Sequence, residues 1–178
     1  EVPRIGVRFR LPAQMNNVQY FGRGPEENYT DRNHGTVVGV YKTTADKMYF
    51  NYVRPQENGH RTDTRWIALS PDKGKGLVIV ADSLVGFNAL RNSIEDFDSE
   101  EALPHPYQWS NFTPEEVANH NEKAARNVLR RMHHVNDITP RDFVEVCVDM
   151  KQQGVGGYDS WGSRPEPIYQ IPANREYN

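Results

Sequence analysis

The sequence predicts an all-β fold, an antiparallel sandwich. Apolar residues recur with a period of two, the same stretches are rich in Val, Ile, Tyr, Phe and Thr, and turn signals fall between them at a spacing of about ten residues. Ile5-Val7-Phe9-Leu11 alternate with Arg4, Gly6, Arg8 and Arg10, the mark of a strand with one buried and one wet face. Val144-Val146-Val148-Met150 repeat the pattern against Glu145, Cys147 and Asp149. Further strands are expected at 18–22, 35–43, 47–54, 63–69, 76–83, 85–92 and 167–172, whose side chains suit a pleated, half-buried surface. Asn16-Asn17, Gly22-Arg23-Gly24-Pro25, Asp72-Lys73-Gly74 and Gly154 to Gly157 punctuate them as turns.

One stretch departs from that period. Thr113-Pro114-Glu115-Glu116 offers a capping residue, then proline at the first helical position, then Glu three residues after the cap. A short helix is expected over 113–128, polar nearly all round and therefore on the surface. Residues 95–111 read as a long connecting loop. No repeat, low-complexity tract or linker divides the chain, so one domain over 1–178 is expected.

The 178 residues are 25% charged and 37% hydrophobic, enough for a modest core. The net charge of −3 does not suit a general nucleic-acid or membrane-surface binder. No apolar run reaches the roughly 20 residues of a membrane helix. A single cysteine, Cys147, excludes an internal disulfide framework and a cysteine-based zinc finger. It says little about compartment, because reducing and oxidising compartments alike tolerate a buried thiol. The opening Glu1-Val2-Pro3 is that expected of a piece of a longer protein.

Three segments could carry chemistry. The first is the glycine-rich loop Gly154-Val155-Gly156-Gly157-Tyr158-Asp159-Ser160-Trp161-Gly162. Glycines allow a tight backbone and close approach to a ligand. Aromatic faces bury the C–H faces of sugars while polar neighbours take the hydroxyls. Tyr158, Asp159, Ser160 and Trp161 are the candidate binding residues, although loop packing accounts for the pattern equally well. The chain has nine Tyr, seven Phe and three Trp, and most of those rings are expected in the core.

The second segment runs from Arg54 through Glu57, Asn58, Gly59, His60, Arg61, Asp63 and Arg65 to Trp66. Asn58-Gly59 is a strong hairpin-turn dipeptide. The interleaved arginines and carboxylates are expected to pair on a sheet face, a structural cluster rather than a ligand site. The third segment, Gly22-Arg23-Gly24-Pro25-Glu26-Glu27-Asn28-Tyr29-Thr30-Asp31-Arg32, brings Glu27, Asp31 and Arg32 into the same cluster. Its carboxylates invite a glycosidase reading, but spacing along a chain does not establish two carboxylates across a sugar. Glu27 stands where a dinucleotide fingerprint needs its third glycine.

The histidines offer no metal signature. His105, His120, His133 and His134 lack an i, i+4 pair with an intervening Glu, so no metal site is expected. There is no Gly-x-Ser-x-Gly elbow and no P-loop frame around Gly74-Lys75-Gly76. Asn28-Tyr29-Thr30 and Asn111-Phe112-Thr113 are formal glycosylation sequons, relevant only in a eukaryotic secretory pathway.

Taken in order, Gly22-Arg23-Gly24-Pro25-x-Glu27-Asn28-Tyr29-x-Asp31-Arg32, Tyr52-Val53-Arg54-Pro55-Gln56-Glu57-Asn58-Gly59-x-Arg61 and Gly154-x-Gly156-Gly157-x-Asp159-Ser160-Trp161 resemble one family. The likeness is to the C-terminal, small-chain region of bacterial β-galactosidases of glycoside hydrolase family 2, and it runs from about residue 2 to residue 172. It implies an antiparallel β-supersandwich related to galactose mutarotases, of which the chain would be the later part. It implies hydrolysis of terminal β-D-galactosides such as lactose by the whole enzyme. The catalytic glutamates would lie in a separate (β/α)8 barrel of about 250 residues, so no catalytic residue is expected here and Glu26, Glu27 and Glu57 inherit none. Trp161 matches the tryptophan that helps form the platform for the sugar or its aglycone. Relatives commonly carry Asp or another polar residue where this sequence has Tyr158, so a polar contact from that position is not carried over and a second ring is offered. The helix expected after Thr113 looks longer than in some relatives. No cofactor is expected here, the family's Mg and Na ions belonging to other domains. The implied partners are a β-galactoside, the other domains of the parent enzyme and, through unpaired sheet edges, a second copy. Two rival functions remain: an aldose 1-epimerase acting through Glu57 and a histidine, and a purely structural assembly module.

Overall fold

The computed structural model describes residues 2–53, 56–97, 135–159, 162–174 and 176–177. The fold is all-β and antiparallel, as expected. Six strands form one sheet: β1 (Arg4–Pro12), β2 (Asn17–Gly24), β3 (Val37–Thr44), β4 (Arg61–Ser70), β5 (Leu77–Leu90) and β6 (Phe143–Gln152), in the order β1-β6-β5-β4-β2-β3. The chain divides into two compact units. The first, residues 1–50, 57–92 and 140–178, carries the whole sheet, and the second comprises 51–56 and 93–139. In the second unit a single turn over Ile94–Asp96 is capped by its own ends, the Ser93 N–H donating to the Asp96 carboxylate at 3.0 Å. The helix expected over 113–128 lies outside the described residues.

Cross-strand partners share a face, so the register sorts the side chains. Tyr41, Tyr20, Ile67 and Ile79 form one row across β3, β2, β4 and β5. Tyr20 and Ile67 in it are buried. The Tyr20 ring packs on Tyr41 at 5.4 Å and edge-on to Phe87 at 5.1 Å. The next row, Val40, Phe21, Trp66 and Val80, points the other way. Its end members Val40 and Val80 are 57% and 74% exposed. This half of the sheet has one packed and one open face.

The other half is covered on both faces. Along β6, Val144, Val146 and Val148 are buried, and so are the alternate residues Glu145, Cys147 and Asp149. Arg8 and Arg10 from the edge strand β1 converge on Glu145 at 3.0 and 2.9 Å, so the buried carboxylate is paired. Arg91 ties the strand ends together by donating to the carbonyls of Arg141 and Phe143.

Four expected strands resolve differently. Residues 47–53 do not form one, residue 54 lying outside the described residues: Ala45–Met48 close a helical turn, with Ala45 and Met48 in the core. The backbone of Phe50 is then taken by the Asn58 side chain, which accepts from the Phe50 N–H and donates to its carbonyl, both at 2.7 Å. An amide side chain thus stands where a neighbouring strand would. The expected strands 76–83 and 85–92 are one long strand, β5. Its register against β4 shifts between Arg61 and Thr64 and again before Trp66. Asp63 sits in that irregularity with φ +51°, a conformation that Asp tolerates better than most residues. Residues 167–169 form a 3-10 turn instead of a strand.

Ile67 has no exposed surface at the centre of the packed row. An Ile67→Ala chain should lose about 2–5 kcal/mol, read as a lower urea midpoint with an unchanged slope.

Candidate functional site

The three motif segments, the second of them from Glu57 onward, meet in the sheet-bearing unit, and polar side chains do the joining. Asn28 is fully buried and uses both ends of its amide. Its nitrogen donates to the carbonyls of Arg23 and Glu26 at 3.2 and 3.0 Å, fixing the turn that follows the cis Gly24-Pro25 bond. Its oxygen accepts from the Thr62 N–H at 2.9 Å and the Thr62 hydroxyl at 2.6 Å. Glu27 accepts from the Gly59 N–H at 2.8 Å and from the Tyr29 hydroxyl at 3.4 Å. Burial raises the Glu27 pKa. The Asn58-Gly59 dipeptide is no two-residue hairpin. Gly59 takes φ +73° and Asn58 is buried, its carbonyl accepting from Asn88 at 3.2 Å. Arg61 donates to the Tyr20 hydroxyl at 3.2 Å and to the carbonyls of Gly59 and His60 at 3.1 Å.

Asp31 and Arg32 reach the glycine-rich loop. The Asp31 carboxylate accepts from the Val155 N–H at 3.1 Å and the Gly156 N–H at 2.8 Å, and Arg32 donates to the Gly156 carbonyl. Gly156 has φ +63°, and a Cβ there would fall 2.4 Å from the Ser163 carbonyl oxygen, so only glycine fits this clamp. The loop then closes on itself. The Gly157 N–H donates to the Ser163 carbonyl at 2.9 Å, and the Asp159 carboxylate accepts from the Ser163 N–H at 3.3 Å. Tyr158 is exposed at its tip. Ser160, Trp161 and Arg54 lie outside the described residues.

The carboxylates of the second segment pair with distant arginines. Glu57 bonds Arg4 at 2.8 Å and Asp63 bonds Arg23 at 2.5 Å. Arg65 lies over the Phe21 ring at 5.0 Å.

Sequence reasoning missed the buried group formed by Arg4, His60 and Asp149. His60 and Asp149 are each 1% exposed. Asp149 Oδ2 stands 3.6 Å from Arg4 and 3.9 Å from His60 Nδ1. The His60 ring stacks on Tyr29 and rests against Gly86, where a Cβ would fall 2.3 Å from Nε2. Burial, with Arg4 and Arg61 nearby, pushes the His60 pKa down to about 3. Burial pushes Asp149 up to about 6, Arg4 opposing the rise and Glu57 adding to it. The available signal was Gly86 opposite Asp149 in an apolar strand, a gap that marks close approach of another chain segment.

Among the described residues no group of three or more His, Cys, Asp or Glu could hold a metal ion. No helix among them is long and apolar enough to cross a membrane.

The loop clamp and the buried pair each make a prediction. Asp31→Ala leaves two loop N–H groups without an acceptor, at about 1–3 kcal/mol each. Hydrogen exchange at Val155 and Gly156 should accelerate while exchange in β6 stays slow. For the pair, the unfolded chain protonates its histidine below about 6.5 while folded His60 resists to about 3, so this contribution to stability is lost as pH falls. Folded Asp149 keeps its proton to about 6 while the unfolded carboxyl ionises near 3.8, so this contribution is lost as pH rises. The two slopes oppose each other between pH 4 and 6. Relative to wild type, His60→Gln should therefore lose stability as pH rises through that window, and Asp149→Asn should gain by up to about 3 kcal/mol. Parallel urea midpoints for all three proteins would refute the opposed titrations.

The whole chain, residues 1–178, matches the family described as the β-galactosidase small chain. A β-galactosidase of Priestia megaterium is 33% identical over 177 residues, covering 99% of this chain and 14% of that protein. One of Arthrobacter sp. (strain B7) is 41% identical over 112 residues, 60% of this chain and 11% of its own length. The β-galactosidase BgaC of Bifidobacterium adolescentis is 31% identical over 174 residues, 98% of this chain and 14% of its own. The chain therefore spans about a seventh of the relatives it matches along its whole length, and it belongs to the β-galactosidase small-chain family.

Proposed function

We propose that this chain is the C-terminal β-sheet region of a β-galactosidase and lends the loop carrying Trp161 to the enzyme's sugar site. The observation that carries this reading is the double hold of Asp31 and Arg32 on the glycine loop. A ring serves as a sugar platform only when its backbone is fixed, because ordering a free loop would consume the contact energy. The clamp supplies that fixation just ahead of Trp161. Asp159 and Tyr158 sit in the same closed turn, one accepting from Ser163 and the other exposed.

The whole enzyme would hydrolyse terminal β-galactosides such as lactose with retention, which needs an acid/base and a nucleophile carboxylate about 5–5.5 Å apart. Those belong to the remaining chain, as do any metal ions. Glu27 is committed to Gly59 and Tyr29, and Glu57 to Arg4, roles that fit a scaffold. The chain's partners in this reading are a β-galactoside, the other domains of the parent enzyme and, through the sheet edges, a second copy.

Trp161→Ala in the complete enzyme should lower kcat/KM for a galactoside about fivefold, the loss of about 1 kcal/mol of ring contact. Thermal stability should stay unchanged. Wild-type kinetics in that variant would overturn the platform role.

A further inference from the structure

The open face of the sheet carries apolar side chains where a solvated face carries polar ones. An antiparallel sheet with one wet face alternates apolar and polar residues along each strand. Two strands break that rule. Val37-Val38-Gly39-Val40-Tyr41 in β3 and Leu77-Val78-Ile79-Val80 in β5 are apolar on both sides of the backbone. Such runs mark strands buried on both faces. Here the second face is open, with Val40, Val78 and Val80 57%, 62% and 74% exposed.

The register joins these residues into one patch. Val40, Phe21, Trp66 and Val80 lie side by side across four strands, and Ala68 pairs with Val78 in the adjoining row. Phe21 and Trp66, at the centre, are half-buried. Lys42, Gln19, Arg23 and Ser70 border the patch with polar groups on the same face. An apolar centre inside a polar rim is the anatomy of a protein contact. A patch continuous over four strands also differs from the single apolar residues scattered on an ordinary surface. A surface built of strands is met well by a second sheet, whose side chains interdigitate with its own. Extent and composition name what covers it. The chain makes up 14% of the length of the relatives that it matches from end to end, so most of their polypeptide lies beyond the matched stretch. Residues 113–128 are polar nearly all round and offer no apolar stripe to the face.

We propose that the face built on Val40, Phe21, Trp66 and Val80 packs against an apolar sheet surface of the parent enzyme that lies outside these 178 residues. The inference rests on the part of the reading above that makes this chain one region of a larger β-galactosidase, and not on the role of its glycine loop.

The test uses the complete parent enzyme. Val40→Cys and Val80→Cys place a thiol at either end of the patch. Each should take up a maleimide at least about tenfold more slowly in the folded, active enzyme than in the same enzyme unfolded in urea, read at its own peptide by mass spectrometry. With p-benzoylphenylalanine in place of Trp66, irradiation should give an adduct to a peptide from outside the 178 residues. This second measurement decides alone if the cysteine variants do not fold. The proposal is overturned if either thiol of an active enzyme labels faster than that limit, because the face is then open to solvent. It is also overturned if every adduct of position 66 stays within residues 1–178, which would assign the cover to this chain or to a second copy of it. A Trp161→Ala enzyme with wild-type kinetics would defeat the platform role alone and leave this contact standing.

Discussion

One buried amide, that of Asn28, holds the motif segments in register. It spends its two donor bonds on its own turn and its acceptor on Thr62, at the start of β4. A fully buried amide is costly unless satisfied, so the turn and the strand are locked together or neither is stable. Glu27 and Asp31, just either side, are aimed by that lock. One reaches back to Gly59 and the other forward to Val155 and Gly156. The glycine loop thus inherits its position from a residue more than a hundred places earlier in the chain.

The two halves of the sheet differ in what covers them. Across β3, β2, β4 and the start of β5 the packed row is aromatic and aliphatic, and the opposite row is left open. Across β5 and β6 both faces are covered, and the second face is built from Glu145, Cys147 and Asp149. Burying carboxylates there requires compensation, which arrives as arginines from β1: Arg8 and Arg10 on Glu145, Arg4 on Asp149. The edge strand therefore serves both as backbone partner to β6 and as its counter-charge.

The strands that alternate cleanly were legible in the sequence. Residues 5–11, 18–22, 63–69 and 144–150 all fall within strands, because one buried face enforces the period. Residues 47–54 misled because aromatic β-formers are judged there without their partner. The Asn58 side chain, not a strand, claims the Phe50 backbone. The break expected between 83 and 85 does not occur: the register shift against β4 falls there, and the strand passes it without a turn. In the candidate site, the glycine loop and the Glu27, Asp31, Arg32 segment were visible as motifs, but not that one grips the other. The Arg4, His60 and Asp149 group was invisible, since its members lie on separate segments and Asp149 reads as the wet side of an alternating strand.

Cys147 lies at the middle of that doubly covered strand, and it is the single thiol of the chain. Burial lifts its pKa to about 11, and a reagent needs both the thiolate and a path to it. Both are withheld until β6 parts from β1 or β5. The folded chain therefore carries its own clock: the rate at which it takes up one equivalent of a thiol reagent counts the openings of its most enclosed strand, with no label added and no second site to confuse the reading.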